Sequence, residues 1–189
     1  MPSRRAQPDG GRAGPPVEPR STIAAGRRVS TGEDGVARFT RAEIEAAFQH
    51  FQEAADRSAK SGDWRAWSEC FTEDADYYEH HYGKMHGRKA IYDWIQSTMT
   101  NPAFADMNNF PIDWYVIDED RGWVICSVWN EMRDPGDGSL HREYNWTILH
   151  YAGDGRFSYE EDMYNPADFG RMVAGWHEAK ARLTGSPQN

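Results

Sequence analysis

From Thr40 onward, apolar residues recur at helical spacing: Ile44, Ala47, Phe48, Phe51 and Ala55 form one stripe, the pattern of an amphipathic helix that packs by one face. Thr40 and, three residues on, Glu43 form a capping box at its start, and Phe39 and Ile44 are placed to staple it. Ser61-Gly62-Asp63 ends this helix and caps a short second one whose face is Trp64, Trp67, Cys70 and Phe71. Asp76 to His80 reads as a strand, and after Gly87 a third helix presents Ile91, Trp94, Ile95 and Thr98. Beyond Pro102 the period changes to two, interrupted by turn residues, which predicts a meander of antiparallel strands near 110–118, 122–133, 139–151 and 155–164. Asn165-Pro166 then opens a C-terminal helix with Phe169, Met172, Val173 and Trp176 on one face. Helices segregated from an antiparallel sheet make an α+β domain.

The last two strands divide their faces unevenly. In 155–164, Phe157, Tyr159, Glu161 and Met163 alternate with Ser158, Glu160, Asp162 and Tyr164; in 139–151, Leu140, Arg142, Tyr144, Trp146 and Ile148 alternate with His141, Glu143, Asn145, Thr147, Leu149 and Tyr151. Two arrangements fit this division. Either the apolar rows face the helices and the polar rows face water, or the polar rows line a cavity beneath the helices and a second subunit covers the apolar rows.

Composition narrows the setting. All 25 aromatic residues lie at or after Phe39, whereas residues 1–38 are rich in Pro, Gly and Arg and are expected to form a disordered tail. That leaves a domain over 39–183 and a disordered C-terminus over 184–189. The tail carries seven Arg against four acids, so residues 39–189 hold nearly all of the negative charge, with 14 Lys and Arg against 26 Asp and Glu. An acidic domain disfavours nucleic-acid phosphates and anionic lipid as partners, and no run reaches the roughly 18 apolar residues that a membrane span needs. Cys70 and Cys126 read as buried, reduced thiols, consistent with a cytoplasmic protein.

Phe71-Thr72-Glu73-Asp74-Ala75-Asp76-Tyr77-Tyr78-Glu79, followed by His86-Gly87-Arg88-Lys89-Ala90-Ile91 and by Gly153-Asp154-Gly155-Arg156, resembles the motifs of the SnoaL-like group of the nuclear transport factor 2-like superfamily. The resemblance covers about residues 39–165. It implies a cone-shaped, strongly curved antiparallel sheet wrapped by three N-terminal helices, to which this chain adds a C-terminal helix, and a homodimer formed through the outer sheet face. Relatives include ketosteroid isomerases, polyketide cyclases, dehydratases and epoxide hydrolases, as well as proteins without chemistry. By the same resemblance, Glu79 falls at the general-base position of the ketosteroid isomerases, while Thr147 and Ala55 occupy the places of their two oxyanion donors. The base position therefore keeps a carboxylate and both donors are missing, which separates this chain from ketosteroid isomerisation itself. Glu160, Asp162 and Tyr164 fall on the cavity side.

If Glu79, Glu160 and Asp162 share one apolar cavity, burial and mutual repulsion raise at least one carboxyl pKa, leaving one acid and one base. Expected catalytic residues are Glu79, Glu160, Asp162 and His81; expected substrate contacts are Tyr78, His80, Asn145, Thr147, Tyr164 and Trp129. The ligand expected is a small, largely apolar organic molecule, polycyclic or aromatic. Adjacent His80 and His81 point to opposite faces of a strand and cannot share a metal ion, and no phosphate loop, nucleophile elbow or Cys-His pair is present. No metal or cofactor is expected. The function expected is acid/base catalysis of lyase, isomerase or cyclase type; the alternatives are a ligand-binding module without chemistry and a structural subunit of an oligomeric oxygenase.

Overall fold

Thr40 caps the first helix as its spacing predicts. In the computed structural model, which describes residues 38–185, the Thr40 N–H donates to Glu43 Oε2 at 2.9 Å and the Glu43 N–H donates to Thr40 Oγ1 at 3.3 Å. The helix, α1 (Arg41–Ser61), buries Ile44, Ala47, Phe48, Phe51 and Ala54 and ends at Gly62, where φ is +77°. The tail expected over residues 1–38 lies outside the described residues except for Arg38. Phe39 sets its ring against Tyr151 at 4.7 Å, and a Cβ at Gly122, φ +68°, would meet that ring at 3.0 Å, so this turn requires glycine on two counts.

The second helix is shorter than its apolar face suggests. α2 spans Arg65–Ser68, and Phe71, expected on that helix, already begins β1 (Phe71–Glu79). β2 (Gly83–His86) returns antiparallel to β1; its four residues carry too little hydrophobic pattern to be read from sequence. Gly87 then admits α3 (Arg88–Met99), which buries Ile91 and Ile95. Arg88 Nε donates to the Phe71 carbonyl at 2.9 Å, Gln96 Nε2 donates to the Gly62 carbonyl at 2.9 Å, and the Trp64 N–H donates to Gln96 Oε1 at 3.0 Å. These bonds lock the three helices to one another and to β1.

Four long strands follow in the expected order, with a short one before them: β3 (Met107–Asn109), β4 (Ile112–Asp118), β5 (Trp123–Met132), β6 (Arg142–Gly153) and β7 (Arg156–Met163). The seven strands form one curved, unclosed sheet in the order β2-β1-β7-β6-β5-β3, with β4 also paired to β5. β3 and β4 are successive pieces of one edge, broken around Pro111, which has no N–H to give to a ladder. One pairing departs from the antiparallel pattern: β1 lies parallel to β7, with Tyr77 opposite Glu160 and Glu79 opposite Asp162. The helices α1, α2 and α3 fill the inner face through Phe48, Phe51, Trp64, Trp67 and Ile91, packed on Phe71, Tyr77, Val124, Leu149 and Phe157.

The final helix, α4 (Pro166–Gly185), runs two residues beyond the expected domain boundary; residues 186–189 lie outside the described part. It buries Met172 and Trp176 against Met107 and Met132, and Trp176 Nε1 donates to the Arg133 carbonyl at 2.5 Å. α4 thereby reaches across from the end of β7 to the β3 edge.

Candidate functional site

The inner face of β1, β7, β6 and β5 carries a polar patch at one end of an otherwise apolar surface. Cross-strand register places Glu79, Asp162, Thr147 and Cys126 in one row, and Tyr77, Glu160, Leu149 and Val124 in the next. Above this floor lies a cavity of about 490 Å³, within the range of small-molecule sites. Its walls are Phe51, Trp64, Trp67 and Trp94 from the first three helical segments, Phe110 before β4, and Phe169 and Val173 from α4.

Hydrogen bonds order the floor around Asp162. Thr147 Oγ1 and Asn145 Nδ2 donate to its Oδ1 at 2.5 and 2.7 Å, and the Tyr77 hydroxyl donates to its Oδ2. Asn145 is held in turn by Asn130, whose Nδ2 donates to Asn145 Oδ1 at 2.6 Å. Burial pushes the Asp162 carboxyl up to about 6, with the donors from Thr147 and Tyr77 holding it back. Glu160 is 4 % exposed, and its Oε2 has no hydrogen-bond partner. Burial first, and the neighbouring Asp162 charge second, push its pKa well above the ordinary carboxylate range, which favours the protonated acid. Glu79, 3 % exposed, accepts the His81 N–H at 2.7 Å and the Tyr82 N–H at 2.5 Å, both at Oε2. Burial and the adjacent Glu79 carboxylate push the Tyr164 hydroxyl upward.

Of the expected site residues, Glu79, Glu160, Asp162, His81, Asn145, Thr147 and Tyr164 all line this cavity. Asn145 and Thr147 of β6, Glu160 and Asp162 of β7, and Tyr164 just after it therefore face the cavity and not water. His81 touches Glu79 through its backbone N–H, and its exposed side chain sits at the rim. Tyr78, His80 and Trp129 are not brought to the cavity. Strand alternation from the buried Ala75, Tyr77 and Glu79 turns Tyr78 and His80 to the opposite face. There they stack at 4.3 Å, with His80 Nε2 2.8 Å from Glu161 Oε1. Trp129 lies between the cavity-lining Val128 and Asn130, so its ring faces outward, beneath the Arg142 guanidinium at 4.1 Å.

Phe157 moves the other way. Grouped by alternation with Tyr159, Glu161 and Met163, it is fully buried on the same side as Glu160, because irregular register near Tyr151 breaks the alternation between Phe157 and Glu160. Sequence reasoning missed Tyr77, although its place two residues before Glu79 on a strand was the signal for it. It also missed the helical tryptophans as the cavity's aromatic wall. Among the described residues no group of three or more His, Cys, Asp or Glu is arranged to hold a metal ion, and no helix is long and apolar enough to cross a membrane.

Residues 48–160 match the model of the SnoaL-like domain. The chain belongs to the SnoaL-like family. No functionally curated protein matches this SnoaL-like chain, and solved structures resemble it in fold. An LEH-like epoxide hydrolase of M. tuberculosis superposes with a TM-score of 0.55 at 12% identity, over 78% of this chain and 96% of its own. A candidate polyketide cyclase from Xanthomonas campestris pv. campestris gives 0.53 at 17% identity, over 70% and 98%. A protein of ketosteroid isomerase-like fold from Catenulispora acidiphila, in complex with trimethylamine, gives 0.52 at 17% identity, over 68% and 92%. This SnoaL-like domain thus shares its mixed α+β cone with proteins of different chemistries, and the shared fold does not choose among them.

Proposed function

We propose that this chain is a small-molecule enzyme of the lyase, isomerase or cyclase type, working by acid/base catalysis without a cofactor on an apolar polycyclic or aromatic substrate. The observation that carries this reading is the contrast between two carboxyls on one cavity floor. Glu160 is buried with one oxygen unpartnered, while Glu79 Oε2 accepts two backbone N–H groups. A neutral carboxylic acid donates a proton, and a carboxylate whose partners are all donors accepts one. In an elimination, Glu160 protonates a leaving hydroxyl while Glu79 takes a proton from the neighbouring carbon; the C–O bond breaks, a C=C bond forms, and water leaves. Exchange with solvent then restores the proton to Glu160 and removes it from Glu79. Asp162 acts as a positioning residue, its charge keeping Glu160 protonated; Asn145 and Thr147, whose donors go to Asp162 and to each other, hold that carboxyl in place, and Tyr164 orients substrate oxygens. His81 fixes Glu79 through its backbone. The proposal includes a homodimer, supported by Trp114, Tyr144 and Trp146 exposed on the strands. It also includes a reducing, cytoplasmic setting, supported by the buried free thiols of Cys70 and Cys126.

The test is incubation with polycyclic ketones, tertiary alcohols and epoxides in deuterated buffer, followed by mass spectrometry and NMR. Conversion or deuterium uptake is expected for one of these classes, falling about 10²- to 10⁴-fold in Glu160→Gln and in Glu79→Gln. A compound that binds the native protein without conversion or deuterium uptake would instead establish a binding module without chemistry.

A further inference from the structure

Three carboxyls, Glu79, Glu160 and Asp162, face one cavity whose lining, among the described residues, contains no Lys or Arg. Buried negative charge is costly unless paired. Here neutral donors serve Asp162 and backbone N–H groups serve Glu79, and among the described lining residues the one basic side chain is His81, exposed at the rim. Glu160, nine-tenths buried and more, has an oxygen with no partner at all.

The walls complete the pattern. Trp64 stands nearly perpendicular to both Trp67 and Phe110, at 82° and 79° with ring centroids 5.8 and 5.9 Å apart. Trp94 closes the same enclosure beside Tyr82 at 6.0 Å. These rings line the cavity, and an aromatic ring attracts an organic cation that comes over its face. A neutral hydroxyl can return a hydrogen bond to a carboxylate but no counter-charge. A cation supplies a counter-charge to Glu79 and Asp162, with Glu160 remaining the protonated acid, and is attracted by the aromatic walls, while its hydrocarbon body fills the apolar volume.

We infer that this cavity takes an apolar organic cation, a protonated or quaternary amine carried on a hydrophobic body. The inference rests on the reading of the cavity as the substrate site and names the substrate's class.

The test uses the full chain with benzyltrimethylammonium and its uncharged carbon isostere, neopentylbenzene, titrated by calorimetry and by quenching of tryptophan fluorescence. The cation is expected to bind at least about ten-fold more tightly than the isostere, and the preference is expected to persist at about 0.5 M NaCl, where attraction to the acidic exterior is screened. In Asp162→Asn and Glu79→Gln the cation's affinity is expected to fall toward that of the isostere, whose own affinity stays the same. Equal binding of the two compounds on the native chain, or a preference lost in salt, overturns the inference and leaves the acid/base reading standing. Failure of both compounds to bind overturns the cavity as a ligand site and both readings with it.

Discussion

Glu160 sits where a carboxyl is least comfortable, sealed between Tyr77 and Leu149 on its neighbouring strands, with one oxygen unsatisfied. Its raised pKa makes a linkage prediction with a definite sign. The folded state holds this proton more tightly than the unfolded chain, whose glutamates titrate near about 4.3. The stability contributed is therefore complete below that value and lost as pH rises through the raised pKa. Asp162, pushed up to about 6, acts in the same direction, and a rise of this size corresponds to about 3 kcal/mol lost across its titration. His150, whose pKa is lowered by burial, acts with the opposite sign below about pH 6.5, so the clean window lies above it. Urea denaturation between about pH 6.5 and 9 should show stability declining with pH, and Glu160→Gln should flatten that decline.

At the scale of elements, α4 adds a wall to the cavity through Phe169 and Val173. Removing the Trp176 ring should cost about 3–5 kcal/mol, because it is 1 % exposed and donates to the Arg133 carbonyl; Trp176→Ala should lower the denaturation midpoint and weaken ligand binding together. Thr40→Ala removes half of the capping box and should cost about 1 kcal/mol in the same measurement, without touching the cavity. Elements with strong periodicity were legible in the sequence: the stripes of α1, α3 and α4, and the alternation of β6 that turned Asn145 and Thr147 inward. Short polar β2 and β3 carry too few residues for a period. The phase of β1 was legible as well, from Ala75, Tyr77 and Glu79, and the expectation that Tyr78 and His80 join Glu79 conflicts with that alternation. Phe157 was beyond sequence reasoning, since an irregularity between paired strands leaves no mark in either strand alone. The acids Glu79, Glu160 and Asp162 were readable as one inward group; their hydrogen bonds were not, because Tyr77 and Asp162 meet across a parallel pairing that local pattern does not reveal.

On the whole molecule, the sheet's other face is as aromatic as its inside. Trp114 and Trp146 stand opposite each other across Ser127, with ring centroids 6.5 Å apart; they are 43 % and 49 % exposed, and Tyr144 is 44 % exposed. Rings of this size left in water favour a covering partner. Sedimentation should find the native chain dimeric and Trp146→Glu monomeric, with cavity ligand binding retained; a native monomer at micromolar concentration would overturn the dimer. The parallel register of β1 with β7 also governs the order in which this molecule assembles. Tyr77 and Asp162 are 85 residues apart, and contacts so distant in the chain close slowly. Until β7 arrives, the β1 edge that it will cover is unpaired, the kind of edge that templates aggregation. Asp76, exposed on that strand and opposite Tyr159 of β7, sets an acidic side chain on the stretch that β7 will pair, the kind of residue that discourages a stray strand from joining an open edge.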